Sequence, residues 1–337
     1  MRSKLIPSVL ALTAVIGSAA TADELNIYSA RHYDTDEQLY SDFEKMTGIT
    51  INRIEGKADE LVARMQAEGV NSPADVLITV DTSRLERAKN AGVLQSVDSD
   101  VLEARIPGRL QDAENEWFGF SQRSRIIFYD KNDVPNPPQT YADLAKPEYK
   151  GLVCIRSSTN TYNQTLLASI VEHEGEEAAK AWATGIVANM ARDPQGGDTD
   201  QLRGIVSGEC EISVANTYYF ARSIRTEVKG LSAERDMIGW VFPDQDGNGA
   251  HMNLSGAGAA KHAPNYDNAV KFLEYLASDS AQVYFSGGND EYPSVEGVAM
   301  ADSIATLGEF KPDGVDLSAV AKHIPTAQKI FDQVGWE

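Results

Sequence analysis

Tyrosines and a histidine follow three apolar segments of the chain, where each predicted strand ends. The first segment is LNIYSA, and His32 and Tyr33 come shortly after it. The second is LVCIRSS, which leads into a loop that contains Tyr162, and the third is CEISVAN, which precedes Tyr218 and Tyr219. In an open α/β sheet the carboxyl ends of the strands face the ligand crevice, so we expect these side chains to share one cleft.

Four phenol groups in one cleft favour a hard, highly charged cation as the ligand. A phenol ionises at about pH 10, so it offers a neutral ligand little beyond hydrogen bonds. A trivalent cation such as Fe³⁺ stabilises the phenolate and displaces the proton. Soft metals prefer sulfur ligands, and Ca²⁺ prefers carboxylate and carbonyl oxygens. These residue types therefore predict a ferric site.

Three arginines are candidates to offset the excess negative charge of such a site. Four phenolates around one Fe³⁺ leave about one net negative charge. Arg123 and Arg125 stand two residues apart on a predicted strand and so share a face, and Arg222 follows Tyr219 by three residues. The alternative for each arginine is an ordinary surface cation.

Strands alternate with helices in both halves of the chain, which predicts an α/β fold with parallel strands and right-handed crossovers. The alternation runs through residues 24–80 and begins again at 152, and a longer strand candidate at 117–131 separates the two runs. Residues 237–261 are predicted to form two strands joined by a loop, which would cross back between the two halves. We expect two lobes with a hinge of crossing strands and the ligand cleft between them. The expected lobes are 23–122 with about 248–298, and 123–247 with about 299–337.

The first 22 residues have the pattern of a secretory signal peptide. Arg2 and Lys4 precede an apolar run at 5–16, and small residues then lead to Ala22. We expect cleavage after Ala22 and export to the periplasm. The apolar run is too short to span a bilayer, so direct membrane insertion is not expected.

The composition of the chain excludes some classes of partner and indicates the redox state of its cysteines. The chain of 337 residues carries a formal charge of −20, which disfavours nucleic acid and anionic lipid as partners. Its length suits two domains. The two cysteines, Cys154 and Cys210, are an even pair in an exported chain and favour a disulfide. They are too few for a structural zinc or iron–sulfur site.

Several segments resemble the periplasmic ferric-ion-binding proteins of ABC importers, the bacterial transferrins. The resemblance covers essentially the whole mature chain and includes LNIYSARHY, SPADVLIT, SQRSRIIFYDK, NTYYFARS and LSGAGAAK. Its most specific element is the pair of tyrosines after a strand that ends in Asn. The resemblance implies a two-lobed periplasmic binding protein of type II. It also implies a monomer that is not an enzyme and delivers Fe³⁺ to an ABC permease.

The resemblance is to the tyrosine-rich branch of this family. Another branch uses a glutamate ligand, and Val80 occupies the matching position here. Tyr33 and Tyr162 match the additional tyrosines of the tyrosine-rich branch, and Tyr218 and Tyr219 match the pair. The resemblance therefore implies that these four residues bind the metal.

Two features of the implied site stay open. Some tyrosine-rich members bind iron without the histidine, so His32 is a candidate ligand only. Arg123 or Arg125 resembles the arginine that holds a carbonate anion in some members, and the need for an anion here is open.

Two other functions also stay open. The same fold could carry an organic cation, such as a polyamine or a thiamine-like molecule, with aromatic rings stacked on it. A secreted enzyme with a ferric or tyrosine centre is the other alternative, although no nucleophile–base pair is evident. The segment DQDGNG at 244–249 imitates the start of an EF-hand, but Ser255 takes the twelfth position, so we predict a hinge turn.

Overall fold

The computed structural model describes residues 23–31, 33 and 35–337, so the predicted signal peptide and His32 lie outside the described residues. The strands are β1 (Glu24–Ser29), β2 (Thr50–Glu55), β3 (Val76–Thr79), β4 (Leu94–Gln95), β5 (Phe118–Asp130), β6 (Val153–Cys154), β7 (Ile212–Asn216), β8 (Ile238–Val241), β9 (Met252–Ala260) and β10 (Tyr292–Pro293). The helices are α1 (Asp36–Thr47), α2 (Ala58–Glu68), α3 (Thr82–Asn90), α4 (Asp100–Arg105), α5 (Thr161–Glu174), α6 (Glu176–Asn189), α7 (Asp198–Val206), α8 (Thr217–Arg225), α9 (Tyr266–Leu276), α10 (Asp279–Asn289), α11 (Asp302–Ala305), α12 (Leu317–Lys322) and α13 (Ile324–Val334).

The first lobe is built on parallel strands, as the alternating pattern predicts. Strand β1 pairs in parallel with β2 and with β3, and helices α1 and α2 make the crossovers. Helix α1 buries Leu39, Tyr40 and Phe43, which stand at helical spacing, and ends at Gly48 in the left-handed conformation. All four residues of β3 are buried, because the sheet is covered on both faces here.

Strands β5 and β9 connect the two halves of the sheet, whose order is β2-β1-β3-β9-β5-β7-β6. The first part of β5, at 118–124, pairs antiparallel with β9, and its second part pairs with β7 and β8. The predicted α/β fold with crossing strands is therefore confirmed. Because Arg123 and Arg125 lie where β5 changes partners, both side chains are placed at the junction of the lobes.

The hydrophobic core consists of separate clusters. One draws on residues from 25 to 120 and from 254 to 295, together with Leu317. Two others lie within 126–336. Leu317 shows that the carboxyl-terminal segment also packs against the first lobe. The exact lobe boundaries stay a prediction.

Cys154 and Cys210 form a disulfide with a Cα–Cα distance of 5.8 Å. The bond links Cys154, the last residue of β6, to Cys210 in the segment just before β7, the parallel strand beside β6. It closes a loop that contains α5, α6 and α7, and such a loop closure stabilises a fold by roughly 4 kcal/mol in the chain-entropy model.

His251 is buried immediately before the crossing strand β9. It is 2% exposed, and its Nδ1 has no hydrogen-bond partner among the described residues. Burial, together with the positive charges of Arg125 and Arg123, lowers the pKa of His251 to about 3. The imidazole is therefore neutral in the folded protein at physiological pH.

We expect acid to destabilise the fold through His251. Unfolded histidine has a pKa of about 6.5, so between that value and about pH 3 only the unfolded state takes up the proton. The free energy of unfolding should fall by about 1.4 kcal/mol for each pH unit below 6.5 from this group alone. Urea unfolding measures this pH dependence of the free energy of unfolding. It is carried out on the wild type, on His251→Gln and on the exposed control His262→Gln. Equal pH slopes for all three proteins would contradict this prediction.

Candidate metal-binding site

Tyr218 and Tyr219 lie in the first turn of α8, directly after β7. Strand β7 ends at Asn216, whose backbone is extended, and the helix begins at Thr217. The change from strand to helix lets the two neighbouring rings lie with centroids 4.2 Å apart at an interplanar angle of 31°. The positive end of the helix dipole at this point favours anionic oxygens.

Tyr162 lies in the first turn of α5, at the neighbouring strand end. Asn160 caps this helix, and its side-chain oxygen accepts the N–H of Tyr162 at 3.2 Å. The hydroxyl of Tyr162 is 3.3 Å from the hydroxyl of Tyr218. Two distant segments of the chain therefore bring their phenol oxygens to one point, beside two helix amino termini.

Tyr33 approaches the same point from the first lobe. The guanidinium carbon of Arg31 lies 4.4 Å from the centroid of its ring. The pKa of Tyr33 is raised above its usual value by burial and by the negative charges of Tyr162 and Glu291. The charges of Tyr33 and Tyr162 therefore influence each other, as is expected of two groups that face one cleft.

The tyrosine pair is poorly suited to ionise without a compensating cation. Burial raises the pKa of Tyr218 and of Tyr219 well above the usual value, and the neighbouring Tyr162 raises both further. Each phenolate disfavours the next, so Tyr218 and Tyr219 stay protonated unless a strong positive charge enters the site.

Three guanidinium groups surround the ring of Tyr162. The guanidinium carbons of Arg123, Arg156 and Arg125 lie 5.4, 5.7 and 6.0 Å from its centroid. Of these, Arg156 is the residue that was not predicted from the sequence. It stands in the segment LVCIRSS, two residues after Cys154. Its position just before the Tyr162 loop could have indicated that it lies near this tyrosine.

Arg125 is neutralised by a buried carboxylate. It donates to Asp198 at 3.0 Å and to Asn163 at 2.7 Å, and both members of the ion pair are almost fully buried. Asp198 also accepts the backbone N–H of Asn216 at 2.9 Å. This network fixes the end of β7, and therefore the start of α8, against the crossing strand.

Arg123 keeps its positive charge available to the tyrosines. It donates to the hydroxyl of Ser255 at 3.0 Å and to the carbonyl of Val80, and it makes no ion pair within the part of the chain that the structure describes. Its Nε is buried without a partner among the same residues. Val80, the residue that follows β3, therefore contributes its carbonyl to hold an arginine.

Arg222 lies on the other side of the pair. Its guanidinium carbon is 5.9 Å from the ring centroid of Tyr218 and 6.0 Å from that of Tyr219. The structure thus brings Tyr33, Tyr162, Tyr218 and Tyr219 together and puts all three sequence-predicted arginines beside them.

A buried ion network supports the first-lobe side of the site. Arg31 donates to Asp36 at 2.7 Å and to Glu291 at 3.0 Å while its guanidinium covers the ring of Tyr33. Glu291 comes from a distant segment and had no signal in the sequence. In the described residues, no cluster of three or more His, Cys, Asp or Glu side chains could hold a metal ion, so a metal in this cleft would depend on the phenols.

The fold and the tyrosine cluster define a two-lobed solute-binding protein with its ligand cleft between the lobes. Residues 38–312 match the bacterial extracellular solute-binding proteins, and the chain belongs to this family. The described residues include no helix with the length and apolar character that a membrane span requires.

Similar proteins are known among curated sequences and solved structures. The chain is 48% identical over 315 residues to Iron uptake protein A1 of Synechocystis sp., covering 93% of this chain and 88% of that protein. A Trichodesmium protein solved with iron and citrate ligands superposes with a TM-score of 0.89 at 48% identity, covering 93% of this chain and 100% of the other. A ferric binding protein from Campylobacter jejuni gives a TM-score of 0.88 at 42% identity, with coverage of 93% and 100%.

Proposed function

We propose that this protein captures Fe³⁺ through Tyr33, Tyr162, Tyr218 and Tyr219 and delivers it to the inner-membrane permease of an ABC transporter. The observation that carries the proposal is the 3.3 Å approach of the Tyr162 and Tyr218 hydroxyls beside the packed ring of Tyr219. Phenolates this close repel one another, and a bound trivalent cation reverses that repulsion. Relatives named for iron uptake, and one solved with iron, support the same cargo.

The charge balance of the cleft supports a trivalent ion. Four phenolates and Fe³⁺ sum to about one negative charge, which Arg123 can offset because no carboxylate among the described residues pairs with it. Arg222 adds a second cation beside the tyrosine pair. A divalent ion would leave about two negative charges and would bind more weakly.

Iron would act as a bridge that selects the closed state. Tyr33 belongs to the first lobe, whereas Tyr162 and the tyrosine pair belong to the second, so only a closed cleft brings all four oxygens to one ion. A direct contact between the lobes accompanies closure, since Thr165 of α5 donates to Asp81 beside β3 at 3.1 Å. The crossing strands β5 and β9 would form the hinge.

The arginines argue against an organic cation in the cleft. Arg123, Arg125 and Arg156 all lie within about 6 Å of the Tyr162 ring, where a cationic ligand would have to stack. Within the described residues, Arg125 and Arg156 form ion pairs with Asp198, whereas Arg123 forms none. The same positive charges suit anionic oxygens, with or without a small anion such as carbonate bound at the unpartnered arginine nitrogens.

We further propose a periplasmic monomer that carries its ligand and catalyses no reaction, with His32 as a fifth ligand. Titration of the iron-free mature protein with ferric citrate tests the proposal. The phenolate-to-iron charge-transfer band in the visible range should grow and saturate at one iron for each protein. Protons should be released, because Tyr218 and Tyr219 start protonated. A colourless protein that does not take iron from citrate would contradict the proposal. Parallel titrations with and without bicarbonate test the carbonate.

A further inference from the structure

The second lobe contains a cavity that is separate from the tyrosine cleft. Its volume is about 310 Å³, and it lies between α5, α6 and the loop after β8. His173 near the end of α5 lines it, whereas Tyr162 stands at the start of the same helix. The rise of an α-helix separates these two residues by about 16 Å. The cavity is therefore not part of the metal cleft.

Aromatic rings and small apolar side chains form the inner wall of this cavity. Trp182 and Tyr141 both line it, together with several alanines. The indole N–H donates to the carbonyl of Tyr141 at 2.6 Å, and the Tyr141 hydroxyl donates to the carbonyl of Arg125 at 2.6 Å. Because their polar atoms are already satisfied by protein, the two aromatic residues offer a ligand mainly ring surface.

Three carboxylates also line the cavity, and the described lining contains neither lysine nor arginine. Asp313 pairs with His173 at 2.7 Å, whereas Asp244 and Glu174 have no cationic partner among the described residues. Burial and the neighbouring negative charges of Glu174, Asp143 and Asp313 raise the pKa of Asp244. A cation bound here would relieve this crowding of negative charge.

His251 is a buried polar group of the cavity lining that lacks a partner. Its side chain makes no hydrogen bond within the described chain, and its Nδ1 is buried. Because the ring is neutral at physiological pH, it can accept an N–H without repelling a cation. An unpartnered buried nitrogen costs free energy that a donor on a ligand would recover.

We propose that this cavity binds a small organic ammonium ion, with its charge at Asp244 and its apolar part against Trp182 and Tyr141. The volume lies at the lower end of small-molecule sites, which begin at about 300 Å³, so the ligand must be small. An inorganic metal ion does not fit, because the described residues provide no converging set of three carboxylate, thiolate or imidazole ligands. Aromatic faces beside carboxylates are suited to an ammonium group on an apolar body.

Calorimetric titration of the iron-free mature protein with phenethylammonium tests this proposal, and the neutral isostere 2-phenylethanol is the matched ligand control. We expect saturable binding of one ammonium ion and no binding of the alcohol at the same concentrations. Asp244→Asn should weaken binding by about tenfold or more, since a hydrogen bond to a charged group is lost. Asparagine suits this position because Asp244 has a φ of 58°, a left-handed conformation that asparagine also adopts.

Two further variants distinguish binding in this cavity from binding at the protein surface or in the tyrosine cleft. Asp246→Asn removes an exposed charge from the same loop without touching the cavity lining, so it should bind the probe as the wild type does. The double variant Tyr218→Phe, Tyr219→Phe should also bind it normally, because the cleft is not involved. No saturable heat, equal binding of the alcohol, or binding that depends on the tyrosines and not on Asp244 would overturn the proposal.

Discussion

The double variant Tyr218→Phe, Tyr219→Phe is expected to lose ferric binding by more than about a hundredfold, because losing a group that only orients a metal ligand already costs ten- to a hundredfold. The substitution removes two of the four phenolate oxygens and deprives the Tyr162 hydroxyl of its neighbour at 3.3 Å. The rings themselves remain and keep their packing, with centroids 4.2 Å apart. The double variant should therefore fold normally and lose the ferric site.

Visible absorption during ferric citrate titration measures this loss, and thermal unfolding of the iron-free variant checks the fold. Tyr266→Phe is the matched control, since its hydroxyl donates to the Ser96 carbonyl at 3.3 Å, far from the cleft in the first lobe. The control should keep the absorption band and the affinity of the wild type. If the double variant also keeps both, the assignment of these tyrosines as ligands is wrong.

The variant Asp198→Ala is expected to destabilise the protein by about 3–5 kcal/mol, because removal of one partner leaves a buried charge uncompensated. Arg125 and Asp198 are 1% and 0% exposed at their side chains, and their atoms are 3.0 Å apart. Asp198 also accepts the N–H of Asn216, which would lose its partner as well. Water cannot screen this pair, so added salt should not mask the effect.

Urea unfolding of the iron-free protein measures the free energy of unfolding directly. The control is Asp236→Ala. The Asp236 carboxylate is fully exposed, and its contact with Arg235 is long, at 4.0 Å. This control should change stability by less than about 0.5 kcal/mol. A loss below about 1 kcal/mol for Asp198→Ala would mean that the buried pair does not hold the crossing strand in place.

Local patterns in the sequence were sufficient to predict the elements of the first lobe. The apolar spacing of Leu39, Tyr40, Phe43 and Met46 predicts helix α1, although Met46 is exposed in the structure. The continuous apolar run at 74–80 predicts the buried strand β3. The rule that ligands bind at strand ends also predicted that Tyr162 lies beside Tyr218, as it does in the structure, because the rule depends on sheet topology and not on contacts between side chains.

One predicted strand is much shorter than expected. The apolar segment at 152–158 predicts a strand, but only Val153–Cys154 pair with β7. Strand β6 lies at the edge of the sheet, and within the described residues an isolated bridge between Val153 and Met190 is all that adds to its pairing with β7. The remaining residues instead form the loop that carries Arg156 towards the ring of Tyr162.

Contacts between distant segments had no signal in the sequence. The pairing of Arg125 with Asp198 and of Arg31 with Glu291 joins residues far apart along the chain, and a single sequence does not reveal which carboxylate meets which arginine. For the same reason the sequence placed three arginines near the site but did not distinguish Arg123, which lacks a carboxylate partner in the described chain, from Arg125.

Anomalous diffraction at the iron edge, from crystals of the iron-loaded protein, decides whether the tyrosines hold the metal. We expect one iron between the lobes, bonded to the phenolate oxygens of Tyr33, Tyr162, Tyr218 and Tyr219. Iron bound elsewhere, with these hydroxyls turned away from it, would show that the four tyrosines are not its ligands.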